Sequence, residues 1–151
     1  MSQSSHVAAD AVSSQAKTLM TLLASINREM AKLAHDLRQR PSVAEVRHGC
    51  DLREYKDAFR YEDQPFCAFE VYVEADLVDG TARWWLLDVN CTPTGWELSR
   101  SITHDSAAGQ DTEMLKMLSS PHFTKFAARA PVALFELLEL ARSGIPGSEQ
   151  A

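Results

Sequence analysis

The sequence predicts an α+β fold, with a long N-terminal helix and C-terminal helices packed on one face of an antiparallel β-meander of three to four strands. Three observations carry that expectation. Apolar residues recur at helical spacing from Val12 to Leu37, then alternate every second position from Cys67 onward. The alternating segments are separated by two turn signals, Asp79-Gly80 and Pro93-Thr94-Gly95.

The first element follows from Val12, Ala16, Leu19, Leu23, Ile26, Met30, Leu33 and Leu37, an apolar stripe with spacings of four and three. Pro41 disfavours helix in the residue before it, so the helix should stop near Arg40. Met20, Leu22 and Ala34 widen the stripe, and the flanks lack a complementary charge pattern, which suits packing within the chain better than a two-stranded coil. Residues 43–49 read as a short strand. Residues 51–63 stay open between helix and strand, because Leu52, Tyr55 and Phe59 fit either period.

From Phe66 the period is two. Asp79-Gly80 reads as a two-residue hairpin loop, since a type I′ turn needs positive φ at both positions. That loop would set Val73 opposite Leu86, Val71 opposite Asp88, Ala75 opposite Trp84 and Asp76 opposite Arg83. A three-residue loop at Pro93-Thr94-Gly95 would set Leu86 opposite Ile102, Asp88 opposite Arg100, Asn90 opposite Leu98 and Trp84 opposite His104. The helices should then cover a face holding Val71, Val73, Trp84, Leu86, Leu98 and Ile102. The other face would carry Glu70, Tyr72, Glu74, Trp85, Leu87 and Val89. After a polar loop, residues 111–118 read as a short helix. Ser120-Pro121 resembles an N-cap with proline in the first turn. Ala130-Pro131 interrupts, and a last helix spans residues 132–142.

The 151 residues suit one domain, with residues 1–10 and 145–151 expected to fray. Hydrophobic residues are 45% of the chain and charged residues 24%, as in globular proteins rather than disordered ones. The net charge is −6; residues 1–40 hold five Lys/Arg against three Asp/Glu, and the remainder ten against eighteen. An acidic body repels phosphate backbones, so no nucleic acid is expected; it would steer a basic protein partner toward itself, and mild acidity is also a common solubility device. The odd cysteine count (Cys50, Cys67, Cys91) favours a reducing compartment. The opening residues lack the basic and apolar regions of a signal peptide, and no apolar run is long enough for a span. The expected setting is cytoplasmic, without membrane contact.

Two surfaces are candidates for function. The first is the acidic aromatic sheet face, with Glu70, Tyr72, Glu74, Trp85 and Leu87 as its partner-binding residues; aromatic groups ringed by one sign of charge suit a protein interface. The second is a polar row on the core face, Asp88, Asn90, Arg100 and His104. It is either a structural salt bridge or the lining of a cone-like ligand pocket between sheet and helices, where Asp88 and His104 could exchange protons. The five histidines are scattered and His48-x-Cys50 has no second ligand pair, so neither a metal nor another cofactor is expected. Cys91 and His104 fall on opposite faces, which counts against a nucleophile pair, and no phosphate-binding loop or hydrolase motif is present. No catalytic residue is assigned. The order of elements superficially resembles cystatin-like cones and small bacterial immunity or chaperone folds, without a diagnostic motif for any of them. The favoured expectation is a non-enzymatic protein-binding module of adaptor, chaperone-like or immunity type. The alternative is a small-molecule binder or enzyme at the polar row, and homodimerisation through the N-terminal stripe is compatible with both.

Overall fold

The chain runs α1 (Gln3–Arg38), β1 (Val43–Glu54), β2 (Cys67–Leu77), β3 (Ala82–Thr92), β4 (Gly95–Ser106), β5 (Gly109–Ser120) and α2 (Phe123–Ser143). These elements come from a computed structural model that describes residues 3–54 and 67–145. The strands form one antiparallel sheet in the order β1-β2-β3-β4-β5. The α+β meander is therefore present, with five strands rather than three to four. Both helices pack on the same face, α1 over β1 and β2 and α2 over β4 and β5, and they touch each other.

Helix α1 buries Leu22, Ile26, Met30, Leu33, Ala34 and Leu37, so its stripe enters the chain's own core from Leu22 onward. The helix begins at Gln3. Arg40, just beyond α1, donates through Nη1 to the carbonyls of Arg142 and Ile145, tying off the end of α2. Arg142 in turn lies 3.1 Å from Asp36. Ile145 is buried, so the chain is packed up to its last described residue. Among the described residues, no helix is long and apolar enough to cross a membrane.

Three element expectations change. Strand β1 continues to Glu54, which settles residues 51–54 as strand, whereas Tyr55 and Phe59 lie outside the described residues. Residues 111–118 are strand β5, not a helix. The doublets Met114-Leu115 and Met117-Leu118 mimic helical spacing, but a tight reversal closed by Ser106 and Gly109 (φ +117°) delivers the chain straight back along β4. Tertiary pairing overrides a weak local preference. Finally, Phe123–Ser143 is one helix with Pro131 inside it, so the proline does not split it. Ser120 does not cap that helix. Its Oγ accepts from His122 N at 3.1 Å in a local turn. Trp96 holds the N-terminal turn of α2 through edge contact with Phe123 at 5.0 Å and a tilted contact with the buried Phe126 at 5.9 Å.

The larger correction concerns β3. The first hairpin loop has three residues, Val78-Asp79-Gly80: Leu77 N donates to Thr81 O at 2.8 Å and Gly80 N to Leu77 O at 3.1 Å. Only Gly80 has positive φ (+88°) and Asp79 does not, so this is a three-residue loop with a left-handed glycine rather than a type I′ turn. Asp79 Oδ1 locks it by accepting from Thr81 N and Oγ1. Val73 therefore pairs with Trp85, Val71 with Leu87 and Phe69 with Val89. The second loop is one residue shorter than expected, Pro93-Thr94 between the paired Thr92 and Gly95. Gly95 (φ +140°) passes so close to the next connection that a Cβ there would lie 2.5 Å from the Ser120 carbonyl.

Each error is one residue, and the two cancel for β4. Leu98 and Ile102 face the helices as expected, but β3 is turned over between its neighbours. Trp85, Leu87 and Val89 are core residues at 2%, 1% and 4% exposure, and Trp84 and Leu86 face away from the helices. Truncating Trp85 to alanine should consequently cost about 3–5 kcal/mol, whereas Trp84→Ala should cost under about 1 kcal/mol. Urea unfolding of the two variants checks this; equal losses would mean that β3 is not turned as described.

Candidate functional site

Strand register arranges the face opposite the helices in cross-strand rows. One row runs Arg47, Glu74, Trp84, Thr103, Thr112; the next is Gly49, Tyr72, Leu86, Ser101, Met114; the third is Asp51, Glu70, Asp88, Ser99, Lys116. Between them lies a groove of about 560 Å³ whose walls include Arg53, Glu70, Tyr72, Trp84 and Leu86. None of the described helices covers it.

The middle row supplies the apolar floor. Tyr72 lies across Gly49 on the neighbouring strand, where a Cβ would meet its hydroxyl at 2.5 Å. A side chain at position 49 would push the Tyr72 ring from this seat. Tyr72 and Leu86 are half-buried, as is Trp84 in the adjoining row.

The flanking rows are ionic. At one side Arg47 binds Glu74 at 3.0 Å and Asp76 at 2.8 Å, and reaches Glu45 at 3.4 Å. The hydrogen bond from Arg47 holds the Asp76 carboxyl below its ordinary range. On the other side one carboxylate has no ion pair with Arg53. Asp51, Glu70 and Asp88 stand abreast on three adjacent strands, and like charges directly opposite one another repel. Arg53 reaches the first two, at 3.4 Å and 3.0 Å. Lys116 at the far end is engaged with Glu97 at 2.8 Å. Asp88 is left with an enclosed Oδ1 that has no hydrogen-bond partner among the described residues. Its carboxyl is pushed up to about 6, first by burial and then by the charge of Glu70, with Arg53 opposing. Counting Asp105 beside Ala82, the described part of this face holds eight carboxylates against three cations, close to the whole net charge of the chain.

The two sets of candidate residues are redistributed. Glu70, Tyr72 and Glu74 are on the open face, but Trp85 and Leu87 are in the core, where Trp84 and Leu86 were expected. The polar row is divided: Asp88 and Asn90 belong to the open face and Arg100 and His104 to the helix side, so no Asp88–Arg100 pair forms. Arg100 is 11% exposed, 3.5 Å from Glu113, with an Nε that has no hydrogen-bond partner among the described residues. It lines a groove of about 570 Å³ alongside α2 with Phe135, Glu139 and Leu140. His104 is exposed, opposite Arg83. Cys91 and His104 share the helix side after all, but at opposite ends of the sheet. Among the described residues, no three His, Cys, Asp or Glu side chains are grouped so as to hold a metal ion. No protein-family model matches the chain, and no curated protein or solved structure matches it.

The sequence reading missed Trp84, Leu86, Gly49 and Arg53. One signal pointed to the first two: the register it adopted buried Asp88, whereas a shift of one residue buries Trp85, Leu87 and Val89.

Asp88 makes a pH-dependent prediction. The native state keeps its proton up to about pH 6, whereas the unfolded chain releases it near the ordinary value of 3.8. Stability therefore falls as pH rises between those values. Asp88→Asn removes the ionisation and should stabilise the fold by roughly 1–2 kcal/mol above about pH 6, after allowing for partial exposure, and by nothing below about pH 4. Melting curves at both pH values would show it; a variant no more stable than wild type at about pH 7.5 would mean Asp88 is well solvated.

Proposed function

We propose that the protein is a non-enzymatic, cytoplasmic protein-binding module, of adaptor, chaperone-like or immunity type, that captures its partner on the open sheet face. The observation that carries this is the coincidence of three properties on one surface. The face lacks a helical cover among the described residues, it has an aromatic and aliphatic floor at Tyr72, Trp84 and Leu86, and it holds most of the chain's excess negative charge. Interfaces draw affinity from a few aromatic anchors and specificity from complementary charge at their margins. The row of Asp51, Glu70 and Asp88 fits the same picture, because the mutual repulsion of three neighbouring carboxylates is relieved when a partner brings positive charge over them.

Trp84→Ala and Glu74→Lys should each lose at least about tenfold in partner capture, equivalent to about 1.4 kcal/mol, with both variants still folded and the melting temperature lowered by no more than about 5 °C. Phe135→Ala, on the other side of the molecule, serves as the control. Mass spectrometry of proteins retained from native cell extract reads the result. Retention of the same proteins by wild type and both open-face variants would remove the proposal.

A second reading is supported by Arg100. A guanidinium set in a groove beside Phe135 and Leu140, whose Nε has no hydrogen-bond partner among the described residues, suits a small molecule bearing a hydrogen-bond acceptor. Such a ligand should raise the melting temperature of wild type and not of Arg100→Met. A screen of acceptor-bearing amphiphiles that shifts both proteins equally, or neither, would dismiss it.

A further inference from the structure

We propose that the occupant of the open face is a basic protein segment that lays the aliphatic stem of an arginine or lysine along Leu86 and sets its cationic head against Asp88. This rests on the protein-binding role above and specifies the chemistry of the partner. Leu86 and Asp88 are two residues apart on β3 and point to the same face, which separates them by about 7 Å. That is about the reach of a lysine or arginine stem, and such stems cover apolar surface while their heads remain in polar surroundings. Tyr72, held flat over Gly49, walls the stem on one side, and Trp84 stands one row further on.

The head group is determined by charge. Around Asp88 are Glu70 on β2, Asp51 and Arg53 on β1, Ser99 and Glu97 on β4, and Lys116 on β5. Arg53 is shared between Asp51 and Glu70, and Lys116 binds Glu97. A further cation set over the row would offset the repulsion among its three carboxylates. A segment rather than a small cation is favoured because the excess of carboxylates extends past both sides of the groove, to Asp76 and Asp105 on one and Glu97 on the other. A chain carrying several basic residues can meet them all. Because a cation at Asp88 expels the proton held there, capture should weaken as pH falls through about 6.

The test uses the full-length protein and a synthetic peptide of alternating arginine and serine, with a citrulline-for-arginine peptide and spermidine as comparators, read by titration calorimetry at several pH values. Expected is binding of the arginine peptide at least about tenfold tighter than either comparator at about pH 7.5. Asp88→Asn should lose most of that advantage together with its pH dependence, while remaining folded with a melting temperature no lower than that of wild type. Equal affinity for the arginine and citrulline peptides, undiminished binding by Asp88→Asn, or tighter binding of spermidine would each overturn the inference. If the arginine peptide does not bind but proteins are still captured in a Trp84-dependent way, only the basic-segment inference falls. If that dependence is also lacking, the protein-binding role falls with it.

Discussion

The reversal at Val78-Asp79-Gly80 is the constraint on which the remaining architecture depends. A side-chain period of two makes strand register an all-or-none matter: one residue more or less in a loop exchanges the two faces of the strand that follows. Here the left-handed Gly80 closes a three-residue loop, and Asp79 pins it through Thr81. That sends Trp85, Leu87 and Val89 into the core beside Val71 and Val73, and sends Trp84, Leu86 and Asp88 to the opposite side. The shorter Pro93-Thr94 reversal then restores β4 to the orientation that keeps Leu98 inward.

With β3 so turned, the molecule acquires two unlike faces. One is closed by α1 and α2, whose ends are joined by Arg40 and by the Asp36–Arg142 pair. The other is left to the strands, and its charges are arranged unevenly. Arg47 engages Glu45, Glu74 and Asp76 at one side, while at the other Arg53 engages Asp51 and Glu70 and the third carboxylate, Asp88, stands beside them. Burial first, and then the charge of Glu70, disfavour the ionised Asp88. Such a cost is tolerable where core packing is ample.

The long helix and the alternation of the central strands were legible because each follows from a local period that the side chains repeat many times. Leu22 to Leu37 and Cys67 to Leu77 could be assigned without knowing their neighbours. Strand β5 was not legible, since Met114, Leu115, Met117 and Leu118 fit a helix equally well and only pairing with β4 decides between the two. Pro131 suggested a break that the packing of Phe126, Ala130, Leu134 and Leu137 overrides. Of the candidate site, Glu70, Tyr72 and Glu74 were placed on one face by alternation alone. Their partners across the strand were not, because the choice between two- and three-residue loops lies in the φ of Asp79, a single angle.

What the amino-acid sequence determined by itself is therefore the set of repeating elements, the acidity of the body, and the alternation within each strand, all of which arise from neighbours in the chain. Tertiary structure alone decided which side of β3 meets the helices, that residues 109–120 extend the sheet, and that Asp88 stands beside Glu70 instead of Arg100. Those outcomes depend on contacts between distant segments. Burying Trp85, Leu87 and Val89 together removes more apolar surface from water than burying a row interrupted by Asp88, and it keeps the carboxylate out of the apolar core.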